Sequence, residues 1–212
     1  VVPVGEGTAE ALNERLVPKV VGLRMGPYND PEADMGPLIT AQAKARVEDY
    51  INQGVASGAD LLVDGRGASL QGYENGFYVG GTLFDKVTTD MSIYKDEIFG
   101  PVLSVARAND FDAAVAMING NEYANGVAIF TRDGDAARTF TDKVDVGMIG
   151  VNVPIPVPMA FHNFGGSKRS KFGDTQMHGP ESIRFFTKMK TVSSRWPSGI
   201  REGVQYTMPT NR

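Results

Sequence analysis

The chain of 212 residues is 42% hydrophobic and 22% charged, which is typical of a globular protein with one substantial core. Its net charge of −4 offers no basic field for nucleic acid or an anionic membrane. There is no run of about eighteen apolar residues and no signal-peptide pattern at Val1 to Thr8, so a soluble, unexported protein is expected. The absence of cysteine excludes disulfides, thiolate metal ligands and thiol nucleophiles.

The first third of the chain predicts two helices followed by two short strands. Thr8 is a suitable N-cap for the first helix, and Pro18 is expected to kink it or open its middle turn. Thr40 is predicted to cap the second helix, which ends at a glycine. Apolar runs at 61–63 and 77–84 predict the strands, because each lies beside an Asp-Gly or Asn-Gly turn signal.

The middle of the chain predicts a regular succession of strands and helices. Strands are predicted at 102–106, 126–130 and 146–151, with helices at 110–118 and 135–144 between them. Strand, helix, strand, helix, strand with short connections is typical of a parallel sheet with right-handed crossovers. The predicted fold class is therefore α/β.

The last part of the chain has a different pattern. Pro154, Pro156 and Pro158 stand at alternate positions and predict an extended loop, which runs into a glycine-rich stretch. A short helix is predicted near 181–186, and residues 191–196 alternate like an edge strand before a polar tail.

Several common catalytic arrangements are not supported. The only histidines, His162 and His178, lie apart on a loop without the helical spacing or paired carboxylates of a metal site, so no metal is predicted. A triad of Asp174, His178 and a serine lacks the Gly-x-Ser-x-Gly elbow that presents a nucleophile. The Gly-x-Gly pairs lack the third glycine of a dinucleotide-binding loop, so this sequence contains no dinucleotide fold of its own.

Three features leave a functional and a structural interpretation open. Lys168, Arg169 and Lys171 could hold an anion, although a solvated loop is favoured. Phe164, beside two glycines, could line a pocket or anchor the loop to the core. The stretch 97–102 begins with a carboxylate near an aromatic ring and precedes a buried strand, so it is either a surface turn or part of a site.

Several long motifs decide between these interpretations, because the chain resembles the aldehyde dehydrogenase family from its first residues to about Trp196. The resemblance rests on 35–39 (Met-Gly-Pro-Leu-Ile), 93–102 with its Glu-Ile-Phe-Gly-Pro-Val core, 129–131, 147–152 and 164–168. Within the family, the stretches 73–77, 131–138, 151–158 and 172–174 resemble the methylmalonate-semialdehyde branch. One departure is Ser170-Lys171, where the general family continues with Gly-x-Gly.

The resemblance implies a reaction with NAD as cofactor and CoA as co-substrate. A cysteine thiolate attacks the semialdehyde, hydride passes to NAD, carbon dioxide is lost, and the thioester is transferred to CoA, giving propionyl-CoA or acetyl-CoA in valine catabolism. Such thioester chemistry requires a sulfur nucleophile. Since the sequence contains no cysteine and starts at Val1 rather than methionine, we expect a piece of a longer enzyme that is inactive by itself and has no catalytic residue of its own.

The resemblance also assigns site residues. Glu97 matches the glutamate that accepts hydrogen bonds from the nicotinamide ribose hydroxyls, and Phe99 matches the ring beside that ribose. Asn152 and Phe164 match positions near the substrate channel. Which semialdehyde is used is left open, because the residues that grip its carboxylate are expected outside this sequence.

Domain organisation and assembly follow from the same resemblance. Residues 1–183 are expected to form the catalytic domain without the N-terminal Rossmann domain, and residues 184–212 an oligomerisation strand and tail. The strand at 188–196 is expected to pair with a neighbouring subunit in a homo-oligomer, in the cytoplasm or, in a eukaryote, the mitochondrial matrix. Two alternatives stay open: a non-catalytic module that assembles with full-length subunits, and part of an aldehyde dehydrogenase that uses water.

Overall fold

The computed structural model describes residues 1–194, which divide into two compact units. The first unit comprises residues 1–157 and 165–172, and the second comprises residues 158–164 and, within the described part of the chain, 173–194. The helices are α1 (Glu6–Val21), α2 (Ala41–Ala56), α3 (Ser92–Lys95), α4 (Phe111–Asn119), α5 (Gly134–Lys143) and α6 (Ser182–Phe186). The strands are β1 (Asp60–Val63), β2 (Thr82–Asp85), β3 (Val102–Ser104), β4 (Tyr123–Ala124), β5 (Gly126–Ile129), β6 (Met148–Val151) and β7 (Ser167–Lys168).

The strands of the first unit form one three-stranded sheet and two strand pairs. In the order β1-β2-β3, β1 is antiparallel to β2 and β2 is parallel to β3, with Leu83 opposite Leu103. The β5–β6 pair is parallel, with Val127 opposite Ile149, and the β4–β7 pair is antiparallel. The predicted α/β class is confirmed, since helices alternate with parallel strands.

The predicted neighbours within the sheet differ from those observed. The chain pattern places β3, β5 and β6 in one parallel sheet, but β3 pairs with β2 and only β5 and β6 pair with each other. The reason is physical: hydrophobic alternation shows that a strand is buried, but it carries no information on which edge it joins.

Two apolar clusters form the interior of the first unit. The larger one joins α2 to the three-stranded sheet through Val47, Ile51 and Phe84, none of which is exposed to solvent. The smaller one joins α4 to α5 around Val115 and Phe140. The helical spacing of Val47 and Ile51 predicts the buried face of α2, and the hydroxyl of Thr40 accepts a hydrogen bond from the Ala43 N–H at 3.1 Å, as an N-cap does.

The first helix begins earlier than predicted and is not interrupted at Pro18. It starts at Glu6 after Gly5, whose φ of 82° favours glycine, so Thr8 lies inside the helix rather than at its cap. Pro18 also lies inside the helix, which continues without interruption to Val21. Pro18 has no N–H to donate to the carbonyl four residues earlier, so one intrahelical hydrogen bond is missing, whereas its own carbonyl still accepts from the Gly22 N–H at 3.0 Å.

The strand predicted at 77–84 is confirmed only in its last part. Strand β2 starts at Thr82, and residues 77–81 instead make irregular contacts, including a Gly80 N–H to Gly65 carbonyl hydrogen bond of 2.8 Å. A Cβ atom on Gly65 would lie 2.0 Å from the Gly80 oxygen, so the two backbones approach in a way that only glycine permits.

The second unit contains a 3₁₀ turn (Gly179–Glu181) followed by α6, which confirms the short helix predicted near 181–186. Residues 191–194 of the predicted edge strand do not form a strand, because no adjacent strand in the described part of the chain supplies hydrogen bonds. Arg195 and Trp196, and with them most of the predicted oligomerisation tail, lie outside the described residues. In residues 1–194, no helix is long and apolar enough to cross a membrane.

Candidate functional site

The loop between α3 and β3 presents two of the predicted site residues together. Ile98 is buried in the larger apolar cluster, and Gly100 packs so closely on α2 that a Cβ atom there would lie 2.5 Å from Val47. Glu97, which precedes Ile98, and Phe99, which lies between Ile98 and Gly100, are both exposed. The loop therefore holds a carboxylate and an aromatic ring at the surface on a firmly anchored backbone.

Two features of Phe99 are energetically unfavourable. Its ring is 77% exposed, and its φ of 55° lies in the left-handed region that bulky side chains rarely adopt. Such a conformation costs about 1–3 kcal/mol and persists only where the surroundings enforce it. An exposed aromatic ring in a strained backbone conformation is a candidate contact for a ligand.

The Glu97 carboxylate is available to a ligand. Within residues 1–194 no hydrogen bond or ion pair engages it, although charged side chains lie nearby in sequence. A carboxylate is a pure acceptor with two oxygens, so it suits a pair of hydroxyl donors such as the vicinal diol of a ribose. The ring of Phe99 offers an apolar face beside it.

Helix α2 supports this loop through side chains that the sequence patterns do not single out. The Arg46 guanidinium donates to the Ile98 carbonyl at 3.1 Å, and the Tyr50 hydroxyl donates to the Asp96 carboxylate at 3.2 Å. Partial burial, followed by the hydrogen bond to Asp96, raises the pKa of Tyr50 above its ordinary value, so the hydroxyl keeps its proton. The partners are far apart in sequence, and no local signal predicts them.

Asn152 lies at the carboxyl end of β6, and its amide is bonded to the neighbouring strand. Its Nδ2 donates to the Thr131 carbonyl at 3.0 Å, and its Oδ1 accepts from the Thr131 N–H at 2.9 Å. Its φ of 56° is one that asparagine tolerates better than most residues. Asn152 therefore fixes the turn out of β5 against the turn out of β6, and its contacts do not involve the loop of Glu97.

Phe164 belongs to the second unit. Its ring is half-buried and meets the ring of His178 edge to face at a centroid distance of 4.6 Å. His162 contacts Phe161 in a similar way at 4.5 Å. These histidines make aromatic contacts, and in the described part of the chain no group of three or more His, Cys, Asp or Glu residues could hold a metal ion.

The basic cluster after β7 is engaged within the first unit. Lys168 donates to the carbonyls of Asn119 and Asn121 at 2.7 and 3.2 Å, where its charge also complements the end of α4. Arg169 pairs with Glu122 at 2.5 Å, and Lys171 also has an interaction partner. These contacts favour the structural interpretation of the cluster over an anion site.

A buried ionic network joins Asp85, the last residue of β2, to the start of α1 through Arg107. Arg107, with its side chain 14% exposed, pairs with Asp85, which is 4% exposed, and with Glu10 at 2.8 Å and Glu6. Asp85 also accepts from the Asn13 amide at 2.7 Å. Burial acts to raise the pKa of Asp85, but the hydrogen bonds from Arg107 and its other donors outweigh it and hold the pKa below its usual range.

Two clefts occur away from the loop of Glu97. One of about 550 Å³ lies between α3 and the end of α4, and one of about 470 Å³ lies over the Asp85–Arg107 network. Neither is lined by Glu97, Phe99 or Asn152. Glu97 and Phe99 are therefore exposed side chains that do not belong to either of these two clefts.

Comparisons with known proteins show the family to which the chain belongs. A model of the aldehyde dehydrogenase family matches residues 1–192. Malonate-semialdehyde dehydrogenase of Pseudomonas aeruginosa is 53% identical over 208 residues, which are 98% of this chain and 42% of the relative. Mitochondrial methylmalonate-semialdehyde dehydrogenase [acylating] of Arabidopsis thaliana is 46% identical over 206 residues, which are 97% of this chain and 34% of that protein.

A solved structure is similar to this chain in its fold as well as in its sequence. A Sinorhizobium meliloti 1021 protein in complex with NAD superposes with a TM-score of 0.88 at 59% identity, covering 95% of this chain and 41% of that one. The chain therefore spans less than half the length of the relatives that it matches.

Proposed function

Because the chain belongs to the aldehyde dehydrogenase family, we propose that it is the cofactor-facing part of the catalytic domain in a CoA-acylating (methyl)malonate-semialdehyde dehydrogenase. The reaction converts the semialdehyde, CoA and NAD to propionyl-CoA or acetyl-CoA, carbon dioxide and NADH. The observation that carries this proposal is the loop that exposes Glu97 and Phe99 on an anchored backbone.

Glu97 and Phe99 are the residues that would hold the nicotinamide half of NAD. The Glu97 carboxylate would accept hydrogen bonds from the ribose hydroxyls, and the Phe99 ring would pack beside that ribose. NAD, when bound, accepts the hydride that leaves the substrate carbon. Because a charge-assisted hydrogen bond contributes only about 1.5–3 kcal/mol, Glu97 orients the nicotinamide, whereas most of the binding energy comes from elsewhere.

The nucleophile must come from outside this sequence. Transfer of an acyl group to CoA proceeds through a thioester, which requires a sulfur nucleophile, and the 212 residues contain no cysteine. Asn152 and Phe164 each stay proposed as substrate-channel residues on the family resemblance alone.

The acyl acceptor is proposed to be CoA rather than water. The support is the name of the Arabidopsis relative, which is an acylating enzyme, together with its 46% identity over nearly the whole chain. That relative is also mitochondrial, so the mitochondrial matrix is proposed for a eukaryotic source and the cytoplasm otherwise. Assembly into a homo-oligomer through the strand at 188–196 remains part of the same proposal.

The role of Glu97 is tested by changing it to glutamine in the full-length enzyme that carries this sequence. Glu97→Gln keeps the size and one acceptor oxygen but removes the charge, so the KM for NAD should rise about tenfold or the hydride-transfer rate fall by a similar factor. Steady-state kinetics with NAD as the varied substrate, together with single-turnover NADH formation, would measure both. Glu14→Gln, an exposed carboxylate on α1, is the matched control. Unchanged NAD affinity and hydride transfer in Glu97→Gln would show that the assignment is wrong.

A further inference from the structure

The loop that carries Glu97 is held on both sides of that residue by a single turn of α2. The Tyr50 hydroxyl donates to the side chain of Asp96, the residue before Glu97, and the Arg46 guanidinium donates to the carbonyl of Ile98, the residue after it. Arg46 and Tyr50 are four residues apart on α2, so they lie on the same face of the helix. Their two hydrogen bonds therefore bracket the carboxylate.

The same turn of α2 also packs beneath the loop. Val47 has no solvent exposure, shares the larger apolar cluster with Ile98, and fills the space that a side chain at position 100 would need. Apolar packing thus fixes the depth of the loop. Packing is not directional, however, and the two hydrogen bonds add a directional restraint on residues 96 and 98, which flank Glu97.

We propose that Arg46 and Tyr50 are positioning residues, which set the location of the Glu97 carboxylate for the nicotinamide ribose without touching the cofactor themselves. This inference rests on the proposed function, since it has meaning only if Glu97 binds NAD. It predicts that removing either donor loosens the backbone at 96–98 and lowers NAD affinity, while the apolar cluster beneath keeps the protein folded.

The first test compares Arg46→Met and Tyr50→Phe with the wild-type full-length enzyme. Each variant keeps most of the apolar bulk: Tyr50→Phe loses only its hydroxyl, and Arg46→Met loses its donors together with its charge. The KM for NAD should rise roughly threefold to tenfold, the range expected for one hydrogen bond, while the KM for semialdehyde and CoA and the thermal unfolding midpoint stay unchanged. Arg46→Lys, which keeps a donor, should recover part of the NAD affinity. Lys44→Met is the matched control, because Lys44 lies on the same helix and pairs with Glu48 rather than with the loop.

The second test separates positioning from an independent effect by combining Arg46→Met with Glu97→Gln. If Arg46 acts through Glu97, its effect on the KM for NAD should largely disappear in the Glu97→Gln background. An equal effect in both backgrounds would overturn the inference. Normal NAD affinity in Arg46→Met and Tyr50→Phe, together with impaired NAD affinity in Glu97→Gln, would also overturn the inference. The proposed function would stand in that case. If Glu97→Gln itself binds NAD normally, the role proposed for Glu97 fails first.

Discussion

Changing Asp85 to asparagine should lower the free energy of unfolding by about 3 kcal/mol, the low end of the range for breaking a buried ion pair. The loss is large because Arg107, 14% exposed, would keep its charge without its most buried partner. The expected loss of stability is at the low end of that range because Glu6 and Glu10 still pair with Arg107. Urea unfolding at pH 7 measures the difference.

The control is an ion pair of the same chemistry at the surface. Arg24 and Glu32 lie 3.2 Å apart, with both side chains more than half exposed. Glu32→Gln should therefore change the free energy of unfolding by less than about 1 kcal/mol, because exposed ion pairs contribute little. Equal losses in Asp85→Asn and Glu32→Gln would contradict the account of the network.

The same carboxylate gives the stability a defined pH dependence. The folded-state pKa of Asp85 lies below its ordinary value, so the unfolded chain binds more protons in the acidic range and stability rises with pH there. The contribution is complete above the ordinary aspartate pKa of about 4 and is lost as pH falls through the lower folded pKa. The free energies of unfolding of wild type and Asp85→Asn should therefore differ less at a pH below the folded-state pKa of Asp85 than at pH 7.

Gly147→Ala should also destabilise the protein, by about 3 kcal/mol, which is the upper part of the range for overpacking. A Cβ atom on Gly147 would lie 1.6 Å from the backbone nitrogen of Gly166, and one on Gly165 would lie 2.1 Å from the Gly147 oxygen. Both neighbours are backbone atoms, so no side chain can rotate away. This contact ties the start of β6 to the glycine-rich stretch that leads into β7.

Gly134→Ala is the matched control for this prediction. Gly134 is the first residue of α5, and a Cβ atom there would meet nothing closer than 3.7 Å. Alanine should be neutral or slightly stabilising at that position, because it restricts the unfolded chain without a clash. Thermal unfolding of the two variants separates the effect of the contact from that of glycine replacement in general.

Sequence patterns predict those parts of the fold that depend on neighbouring residues. Thr40 and Asp110 cap α2 and α4 as expected, because a cap is made within three residues of itself. The pairing of β3 with β2 and the Asp85–Arg107 network join residues that are distant in the chain, and side-chain type alone does not specify partners at such separations. The helix start at Gly5 was missed because a glycine with positive φ replaced the side-chain cap that Thr8 suggested.

In the candidate site, too, the sequence predicts local features but not contacts between distant residues. The motif at 97–102 identifies Glu97 and Phe99, and the structure adds that both are exposed on one anchored loop. The supporting residues Arg46 and Tyr50 are about 50 residues earlier in the chain, and their role depends on how α2 packs. For Asn152, the residue type and position were evident, whereas its pairing with Thr131 became visible only in three dimensions.

We propose that this sequence is part of a CoA-acylating semialdehyde dehydrogenase whose nucleophile lies outside these 212 residues. This proposal is tested most directly by NADH formation with methylmalonate semialdehyde and NAD, with and without CoA, and identification of the product by mass. The full-length enzyme should sustain NADH formation and release propionyl-CoA only when CoA is present, with at most a single turnover of NADH in its absence, and the purified 212-residue chain should form neither product. CoA-dependent turnover by the purified chain, or release of a free acid by the full-length enzyme without CoA, would contradict the account.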